Sequence, residues 1–351
     1  MTHSIIKPHE YWPPRVFEFP FYFYLFFQCL RNRVSVRDLA KANYALDHGE
    51  IGIGSKYQTQ LAFPQQRFLP TLLLEAGQSA ASKEKLATEF AQAHGYPLIL
   101  KPCIGIVGKG ILKIDCAASL NEALTAIDRS YLLQQFCNLP EEYGVFYIRL
   151  NGESQVTGIN KKHFPGVTGD GHSTLEQLAS RHERFSHHWA SFLKYHDLAS
   201  IPAAGQKLQL SFIGSHTMGC MFTDDSELVS PALEREIFSI CDAQPGFNFG
   251  RLDVRAASDE ALQAGDFRVI EVNGVSSLPT HMFDPGKSLR EAYAIFFQHG
   301  KYLAKIAREH RSRSMSMLPA FALLKKVIAS QRDLNQLHER LKEPGQTGLN
   351  G

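Results

Sequence analysis

Two segments decide how this chain folds, Arg251-Leu252-Asp253-Val254-Arg255 and Phe267-Arg268-Val269-Ile270-Glu271-Val272-Asn273. Both are apolar runs that predict β-strands. Asp253 and Glu271 lie among apolar neighbours, where a carboxylate is costly unless it is paired or bound to a metal. Asn273 follows Glu271 by two residues, so their side chains project from the same face of a sheet. These oxygen ligands suit Mg²⁺, and a buried salt bridge to Arg251 or Arg255 would explain the pattern equally well.

A second informative stretch lies far upstream, after the apolar run Leu98-Ile99-Leu100. It reads Lys101-Pro102-Cys103-Ile104-Gly105-Ile106-Val107-Gly108-Lys109-Gly110. Gly105, Gly108 and Gly110 supply backbone without a Cβ, which lets N–H groups approach phosphate oxygens, and Lys101 supplies positive charge. The pattern is neither a Walker A motif nor G-x-G-x-x-G, and a tight structural turn would explain it about as often.

Hydrophobic periodicity predicts an α+β protein with mostly antiparallel strands. The first 50 residues read as irregular and aromatic-rich before a helix near 36–46. The other predicted helices are 83–94, 119–129 with Ser119 as its cap, 174–184, 231–242 and the region after 289. The predicted strands are 96–100, 111–114, 131–136, 145–150, 155–160, 207–213, 219–222, 249–254 and 267–272.

Composition excludes several classes of protein. The 351 residues (39.4 kDa) give room for two or three packed units, and 44% hydrophobic with 21% charged residues argues against disorder. A formal net charge of +2 does not indicate a nucleic-acid binder or a membrane-coating protein. Six scattered cysteines without a C-x-x-C pair argue against a zinc knuckle or a secreted disulfide framework. We therefore expect a cytoplasmic protein.

Both ends of the chain raise the question of a membrane. The apolar run 16–30 is too short to span a bilayer and lacks the features of a secretory signal, so we expect a buried or interfacial segment, with burial favoured. The region after 301 is basic with apolar residues interleaved. A helix packed on the core explains it better than an anionic membrane surface, which stays open as a partner.

The order of these motifs resembles the ATP-grasp superfamily, over about residues 56–285. The resemblance rests on Lys101 with its glycine loop, on Leu132-Leu133-Gln134-Gln135-Phe136, on Gly250-Arg251-Leu252-Asp253 and on Val269-Ile270-Glu271-Val272-Asn273-Gly274. The segment Gly169-Asp170-Gly171-His172-Ser173-Thr174-Leu175 further resembles cyanophycin synthetase-like and D-alanine–D-alanine ligase-like members, although His172 stands where a lysine is commoner.

This resemblance implies an ATP-grasp fold in which two α+β subdomains clasp a nucleotide. It implies an N-terminal segment (1–55), an ATP-grasp domain (56–290) and a C-terminal helical tail (291–351). Within the domain, a small glycine-loop subdomain would cover about 80–136 and a metal-binding subdomain about 137–290.

The resemblance also implies residue roles. Lys101 would bind the α- and β-phosphates, and the loop with Gly105, Gly108 and Gly110 would cover the nucleotide. Gln134, Gln135 and Phe136 would line the adenine, and Glu141 or Glu142 would contact the ribose. Arg251 would lie near the γ-phosphate or acyl phosphate, while Asp253, Glu271 and Asn273 would hold Mg²⁺ or Mn²⁺. Either Lys56 or Lys83 would be the second lysine that binds the nucleotide.

The implied activity is ligation of a small carboxylate to an amine through an acyl phosphate, with release of ADP and phosphate. A small-molecule kinase and a non-catalytic, membrane-associated nucleotide-binding module are the alternatives. No nucleic acid is implied, and the oligomeric state stays open.

Several further residues are weaker candidates for the site. Arg149 is favoured by its strand position, whereas surface charge explains Lys161, Lys162 and His163 better. Thr280 and His281 are explained equally by a substrate-facing loop and by a structural turn. The loop 214–219 departs from the family pattern, which puts its substrate contact in doubt. A solvated face explains His187, His188 and His196, and Cys103 reads as an inert small residue.

Overall fold

The computed structural model describes residues 12–51, 54–105, 108–182, 184, 196–216, 219–315 and 319–340. The helices are α1 (Pro14–Asn32), α2 (Lys56–Leu61), α3 (Ala80–His94), α4 (Ala117–Ala126), α5 (Leu175–Ser180), α6 (Pro231–Cys241), α7 (Asp259–Gln263), α8 (Leu289–Glu309) and α9 (Ala320–Arg340). The strands are β1 (Thr71–Leu74), β2 (Leu98–Pro102), β3 (Leu112–Ile114), β4 (Tyr131–Gln135), β5 (Glu141–Leu150), β6 (Glu153–His163), β7 (Gly166–Thr168), β8 (Lys207–Gln209), β9 (Met221–Asp224), β10 (Phe249–Ala256) and β11 (Arg268–Asn273).

A four-stranded antiparallel sheet forms the smaller unit, in the order β1-β4-β2-β3. Helices α3 and α4 contribute apolar side chains to its core, which contains Leu74, Ala87, Leu98, Leu120 and Leu133. Helix α3 ends at Gly95, whose positive φ of 73° suits glycine. The predicted helix stop is confirmed, and β2 extends two residues further than expected, so that it includes Lys101.

The larger sheet has five antiparallel strands in the order β11-β10-β5-β6-β9. Strands β5 and β6 form the predicted hairpin across Asn151 and Gly152, which both adopt positive φ. One core cluster joins this sheet to α6 and α7, and another joins it to α1 and α8. The prediction of an α+β fold with antiparallel strands is therefore confirmed.

The prediction of an irregular N-terminal region is wrong, because α1 is a regular helix. Phe17, Phe21, Leu25 and Cys29 recur every four residues and pack into the core beside α8. The ring of Phe21 stacks on that of Phe296 with centroids 3.7 Å apart. The opposite side of α1 is solvent-exposed and apolar, with Val16, Phe19, Tyr22, Phe23, Phe26, Phe27 and Leu30. The expectation that the apolar run 16–30 is buried is therefore correct for only one face of α1.

Other elements differ from expectation in detail. Ser119 is not the cap of α4: Cys116 holds that position, and the Ser119 hydroxyl accepts from its backbone N–H at 3.2 Å. The predicted helix near 36–46 is a 3₁₀ helix over Arg37–Asn43. Strand β1 and helix α2 were not predicted, since both are short and carry little periodicity. His187, His188, Ile106 and Val107 lie outside the described residues.

Strands β7 and β8 form a third, two-stranded sheet, and the three predicted domain boundaries stay predictions. The predicted boundary near residue 136 falls between β4 and β5. The two helices after residue 289 confirm the helical reading of this region as far as residue 340. Within the described ranges, we find no helix with the length and apolar character needed to cross a membrane.

Candidate functional site

A cavity of about 490 Å³ is lined by residues of both sheets and holds most of the predicted site residues. The small sheet contributes Lys101, Gln134 and Gln135, and the large sheet contributes Arg251 and Asp253. The other predicted residues that line the cavity are Lys56, Gly105, Gly108, Phe136, Glu142, Glu271 and Asn273. Gly110 does not line it, although its φ of 73° shows why glycine stands there.

Glu271 on β11 is the carboxylate shared by two lysines. Lys56, at the start of α2, forms an ion pair with its Oε1 atom. Lys101, on β2, lies with its Nζ 3.8 Å from Oε2. Burial alone would lower the pKa of Lys56, but the Glu271 carboxylate raises it overall, and the two lysines lower the pKa of Glu271 despite its own burial. One carboxylate thus contacts a lysine from α2 and a lysine from β2.

Lys101 also ties the two sheets together. Its Nζ donates to Gln134 Oε1 at 3.0 Å and to the backbone carbonyl of Ile270 at 3.4 Å. Gln134 in turn donates to the same Ile270 carbonyl at 3.3 Å. Only 5% of Lys101 is exposed, and burial lowers its pKa, with Lys56 adding to this effect and Glu271 opposing it. Removing water from this lysine makes it a strong partner for an entering anion.

Asp253 on β10 lies directly opposite Glu271 in the strand register. Arg251 clamps it with two hydrogen bonds, Nε to Oδ1 at 2.8 Å and Nη2 to Oδ2 at 3.2 Å. Lys162 Nζ and Asn273 Nδ2 each lie 3.3 Å from Oδ2. Burial would raise the pKa of Asp253, yet Arg251 and Lys162 bring it to about 2. The predicted salt bridge to Arg251 is therefore present, whereas Arg255 pairs elsewhere.

Glu142 on β5 is the third carboxylate at the cavity. Its Oε1 accepts from Lys162 Nζ at 2.8 Å and its Oε2 accepts from Arg255 Nε at 2.9 Å. The guanidinium of Arg255 lies between the rings of Phe136 and Phe164, 5.8 and 5.2 Å from their centroids. Burial would lower the pKa of Lys162, but Asp253 and Glu142 raise it overall. Lys162 thereby links two carboxylates across the sheet.

Two expectations about weaker candidates are wrong. Lys162 is buried and lines the cavity, because alternation along β6 points it inward. Arg149, which strand position favoured, does not line it: its Nε donates to Asn248 Oδ1 at 2.9 Å and an Nη2 donates to the Pro245 carbonyl at 2.5 Å. The sequence shows that strand residues alternate, but not which face meets the cavity.

The remaining candidates separate clearly by position. Lys56 lines the cavity, whereas Lys83 points its Nζ toward the Ala76 carbonyl at 3.5 Å. Lys161 pairs with Glu141 and Asp259 on the other side of the sheet. Thr280 lines the cavity, and His281 beside it is buried. Neither His163 nor His172, His196 or Cys103 lines it. Ser215 and His216 of the loop 214–219 do, while Thr217 and Met218 fall outside the described residues.

Sequence reasoning missed Glu50, which lines the cavity, and Gly144, which makes room for one of the lining residues. Glu50 accepts from Thr59 Oγ1 at 2.8 Å, and burial raises its pKa. Gly144 leaves room for Arg251, since a Cβ there would lie 2.8 Å from its Cδ. Neither residue belongs to a recognisable motif. The cross-strand position of Gly144 opposite Asp253 would have been the one usable signal.

Two carboxylates and one amide of the cavity are of the chemical type that binds a divalent cation. Within the described ranges, no group of three or more His, Cys, Asp or Glu side chains is arranged to hold one. Asp253 and Glu271 nevertheless face each other across β10 and β11, with the Asn273 amide beside Asp253. Mg²⁺ commonly binds one or two carboxylates and completes its shell with water and phosphate oxygens. This donor set suits that mode of binding.

Comparisons with known proteins give partial similarities. No protein-family model matches the chain. A stretch of 111 residues, 31% of this chain, is 28% identical to the glutathione biosynthesis bifunctional protein GshAB of Streptococcus mutans. This stretch covers 15% of that protein, so the chain spans only a small part of its relative.

Several solved structures align with parts of this chain at TM-scores below 0.5. The bifunctional glutathione synthetase of Pasteurella multocida aligns over 69% of this chain and 35% of its own, with 18% identity and a TM-score of 0.35. The D-alanine–D-alanine ligase of Bacillus anthracis aligns over 74% and 70%, with 13% identity and a TM-score of 0.42. The VanG D-Ala:D-Ser ligase of Enterococcus faecalis aligns over 73% and 64%, with 15% identity and a TM-score of 0.42.

None of these comparisons confirms the cyanophycin synthetase-like subtype, and the segment 169–175 does not line the cavity. The two antiparallel sheets that line one cavity agree with the resemblance of the motif order to the ATP-grasp superfamily.

Proposed function

We propose that this chain is an ATP- and Mg²⁺-dependent ligase that joins a carboxylate to an amine. The observation that carries the proposal is the convergence of Lys101 from one sheet with Asp253 and Glu271 from the other on a single cavity. Lysines and carboxylates arranged in this way suit a polyphosphate together with its cation. The partial match to a glutathione biosynthesis protein supports the same class of reaction.

The nucleotide would lie between the sheets. Lys101 and Lys56 would neutralise phosphate oxygens, and Gln134, Gln135 and Phe136 would line the adenine. Glu142 would contact the ribose, using lone pairs that its bonds to Lys162 and Arg255 leave available. Asp253, Glu271 and Asn273 would hold Mg²⁺, or Mn²⁺ in its place, which supplies charge neutralisation at the transferring phosphoryl group.

The reaction would take two steps. A carboxylate oxygen of the first substrate attacks the γ-phosphorus, which forms an acyl phosphate and releases ADP. The amine nitrogen of the second substrate then attacks the acyl carbon, loses a proton and expels phosphate. Arg251 would stabilise the charge that develops at the phosphoryl or acyl group. Gly105, Gly108 and Lys109 line the cavity and would help to exclude water from the acyl phosphate.

Hydroxylamine trapping tests the chemistry. ADP release is measured over a panel of amino acids, dipeptides and dicarboxylates, with and without hydroxylamine. We expect a hydroxamate to form with the carboxylate substrate. ADP release without a hydroxamate would instead indicate the alternative function, a small-molecule kinase, and ATP binding without ADP release on any mixture would contradict both.

The metal assignment has its own test, the substitution Glu271→Gln. It removes the charge that faces Mg²⁺, so we expect turnover to fall by roughly 100-fold or more while circular dichroism shows a folded protein. Glu153→Gln, on an exposed position of β6, is the matched control and should retain full activity. Full activity of Glu271→Gln would exclude this carboxylate as a metal ligand.

The exposed apolar face of α1 favours a second candidate role, attachment to an anionic membrane surface. Large exposed apolar patches mark interaction sites. Three exposed basic residues lie near this face, Arg31 in the last turn of α1 and Arg33 and Arg37 just after the helix. Aromatic side chains beside arginines complement the interface of a bilayer with anionic headgroups. This role is compatible with ligase activity.

Sedimentation with phosphatidylserine-containing and neutral vesicles tests the membrane role. We expect low-salt pelleting with the anionic vesicles only, and its loss in Phe19→Ser/Phe23→Ser. Self-association of the wild-type chain without vesicle binding would assign the face to a second copy instead.

All six cysteines are free thiols, which agrees with the cytoplasm as the compartment that we propose.

A further inference from the structure

The cavity extends beyond its charged residues to a group of rings. Phe283 lies at the centre of this group, with the ring centroid of His216 at 5.2 Å and that of Phe17 at 5.4 Å. Phe222 lies 5.7 Å from His216 on the other side. Leu278 completes the set, which we call the apolar wall: Phe17, His216, Phe222, Leu278 and Phe283.

The apolar wall adjoins the charged centre directly. Arg251 Nη1 donates to the backbone carbonyl of Leu278 at 3.3 Å and to Thr280 Oγ1 at 3.4 Å. Phe222 on β9 is the cross-strand partner of Lys162 on β6. Whatever lies against the wall is therefore next to Arg251 and Lys162, which contact the Asp253 carboxylate.

The wall combines rigid and accessible parts. Phe17 and Phe222 are buried and fix the back of the wall, whereas His216, Leu278 and Phe283 are half-buried and line the open cavity. Glu18 also lines the cavity and accepts a hydrogen bond from Tyr22 Oη at 2.8 Å, so the surroundings are not wholly apolar. Ligand sites commonly pair such an apolar surface with a few oriented polar groups.

We propose that one substrate of this site carries an apolar group about the size of a phenyl ring. The ring lies against His216, Leu278 and Phe283, while the carboxylate or amine of the same molecule lies beside Arg251 and Thr280. The reaction of that substrate depends on the ligase function proposed above, but its binding does not. A second acidic group in place of the ring would instead lie against the apolar side chains of Leu278 and Phe283.

Binding to the full-length protein tests the proposal without requiring turnover. The probes are phenylacetate and phenethylamine, compared with acetate, ethylamine and succinate, and dissociation constants are measured by saturation-transfer NMR in the presence and absence of Mg²⁺ and a non-hydrolysable ATP analogue. At least one aromatic probe should bind roughly 10-fold or more tightly than its ring-less counterpart, because the ring buries apolar surface.

Two variants locate the bound ring. Phe283→Ala and His216→Ala should each reduce the preference for the aromatic probe by roughly 10-fold. His216 lies half-buried in a loop, so its variant keeps the test available if Phe283→Ala does not fold. Phe23→Ala, on the outer face of α1, is the control and should bind like the wild type.

Three results would overturn the proposal: equal binding of the aromatic and ring-less probes, tighter binding of succinate, or an aromatic preference that survives both variants. If the aromatic probes bind but neither a hydroxamate nor ADP is formed, the apolar subsite is supported. That result would count against the ligase function alone.

Discussion

At the scale of single residues, the cavity depends on buried or half-buried charges that are paired with cations from several elements. Asp253, Glu142 and Glu271 each contact two cations, and these cations come from α2, β2, β6 and β10. Removing one partner of a buried pair leaves a desolvated charge, which is more costly than losing an exposed pair. The same chain offers both situations in the neighbouring residues Lys161 and Lys162.

The substitution Lys162→Met should therefore destabilise the protein much more than Lys161→Met. Lys162 is 5% exposed and lies between Glu142 and Asp253, so we expect a loss of about 3 kcal/mol in the free energy of unfolding. Lys161 pairs with the partly exposed Glu141 and Asp259. Lys161→Met should therefore lower the free energy of unfolding by about 1 kcal/mol or less. Urea denaturation measures both, and equal losses would contradict the buried network.

Two buried histidines predict a dependence of stability on pH. His281 and His299 lie 5.5 Å apart, and burial lowers their pKa values to about 4 and about 3. Asp224 favours a proton on His281, whereas Lys287 opposes it. Gly158 admits the His281 ring, since a Cβ there would lie 2.6 Å from its Nε2. Both rings are therefore neutral at pH 7.

Because these pKa values lie below the value of about 6.5 in the unfolded chain, unfolding takes up protons between pH 6.5 and 4. The stabilisation that the neutral histidines give is complete above pH 6.5 and is lost as the pH falls toward 4. At about 1.4 kcal/mol per pKa unit, the free energy of unfolding falls by a total of several kcal/mol. Urea denaturation at several pH values across this range measures the effect. The free energy of unfolding should fall less in His299→Gln than in the wild type. His172→Gln, at an exposed turn, should follow the wild type.

At the scale of elements, α1 shows how tertiary contacts select a helix that local preference does not favour. Aromatic residues are moderate helix formers, and Pro20 removes one backbone donor. The four-residue spacing of Phe17, Phe21 and Leu25 nevertheless places three apolar side chains against α8. Burial of this face stabilises the helix, while the opposite face contributes little to folding.

This asymmetry predicts very different costs for two neighbouring substitutions in α1. Phe21 is 9% exposed and stacks on Phe296, so Phe21→Ala should cost about 3–5 kcal/mol. Phe23 is 72% exposed, and Phe23→Ala should change stability by less than about 0.5 kcal/mol. Thermal or urea denaturation distinguishes them. A similar large loss at Phe23 would mean that its ring is covered in solution.

At the scale of the whole molecule, the cavity joins two sheets that have separate cores. The direct links include the hydrogen bonds of Lys101 and Gln134 to the Ile270 carbonyl. A ligand held between the sheets binds the folded protein only, so it stabilises the molecule by mass action.

A Mg²⁺-bound, non-hydrolysable ATP analogue should accordingly raise the unfolding temperature. At 100 times its Kd, the stabilisation is about 2.7 kcal/mol, which corresponds to an increase of a few degrees for a chain of this size. Lys101→Met should abolish the increase, because it removes the buried cation at the centre of the cavity. Lys85→Met, on the exposed side of α3, should preserve it. An unchanged response in Lys101→Met would place the nucleotide elsewhere.

Much of the fold could be predicted because its elements carry local signals. Alternating apolar residues marked most strands of both sheets, the Asn151-Gly152 pair marked the hairpin, and Gly95 marked the end of α3. Helix α1 was missed because its apolar residues are so dense that no single face stands out. The cap of α4 was misplaced because cysteine is not among the usual capping residues, whereas Ser119 lies only three residues after Cys116.

The sequence by itself determined which residues carry the charges and glycines of the site, and it placed Asp253 and Glu271 on strands. Only the tertiary structure decided which of them share a cavity. It brought in Lys56, Lys162 and Glu50, turned Arg149 away and set the apolar wall beside Arg251. The physical reason is that alternation along a strand fixes two faces, while packing of distant strands and helices decides which face is enclosed.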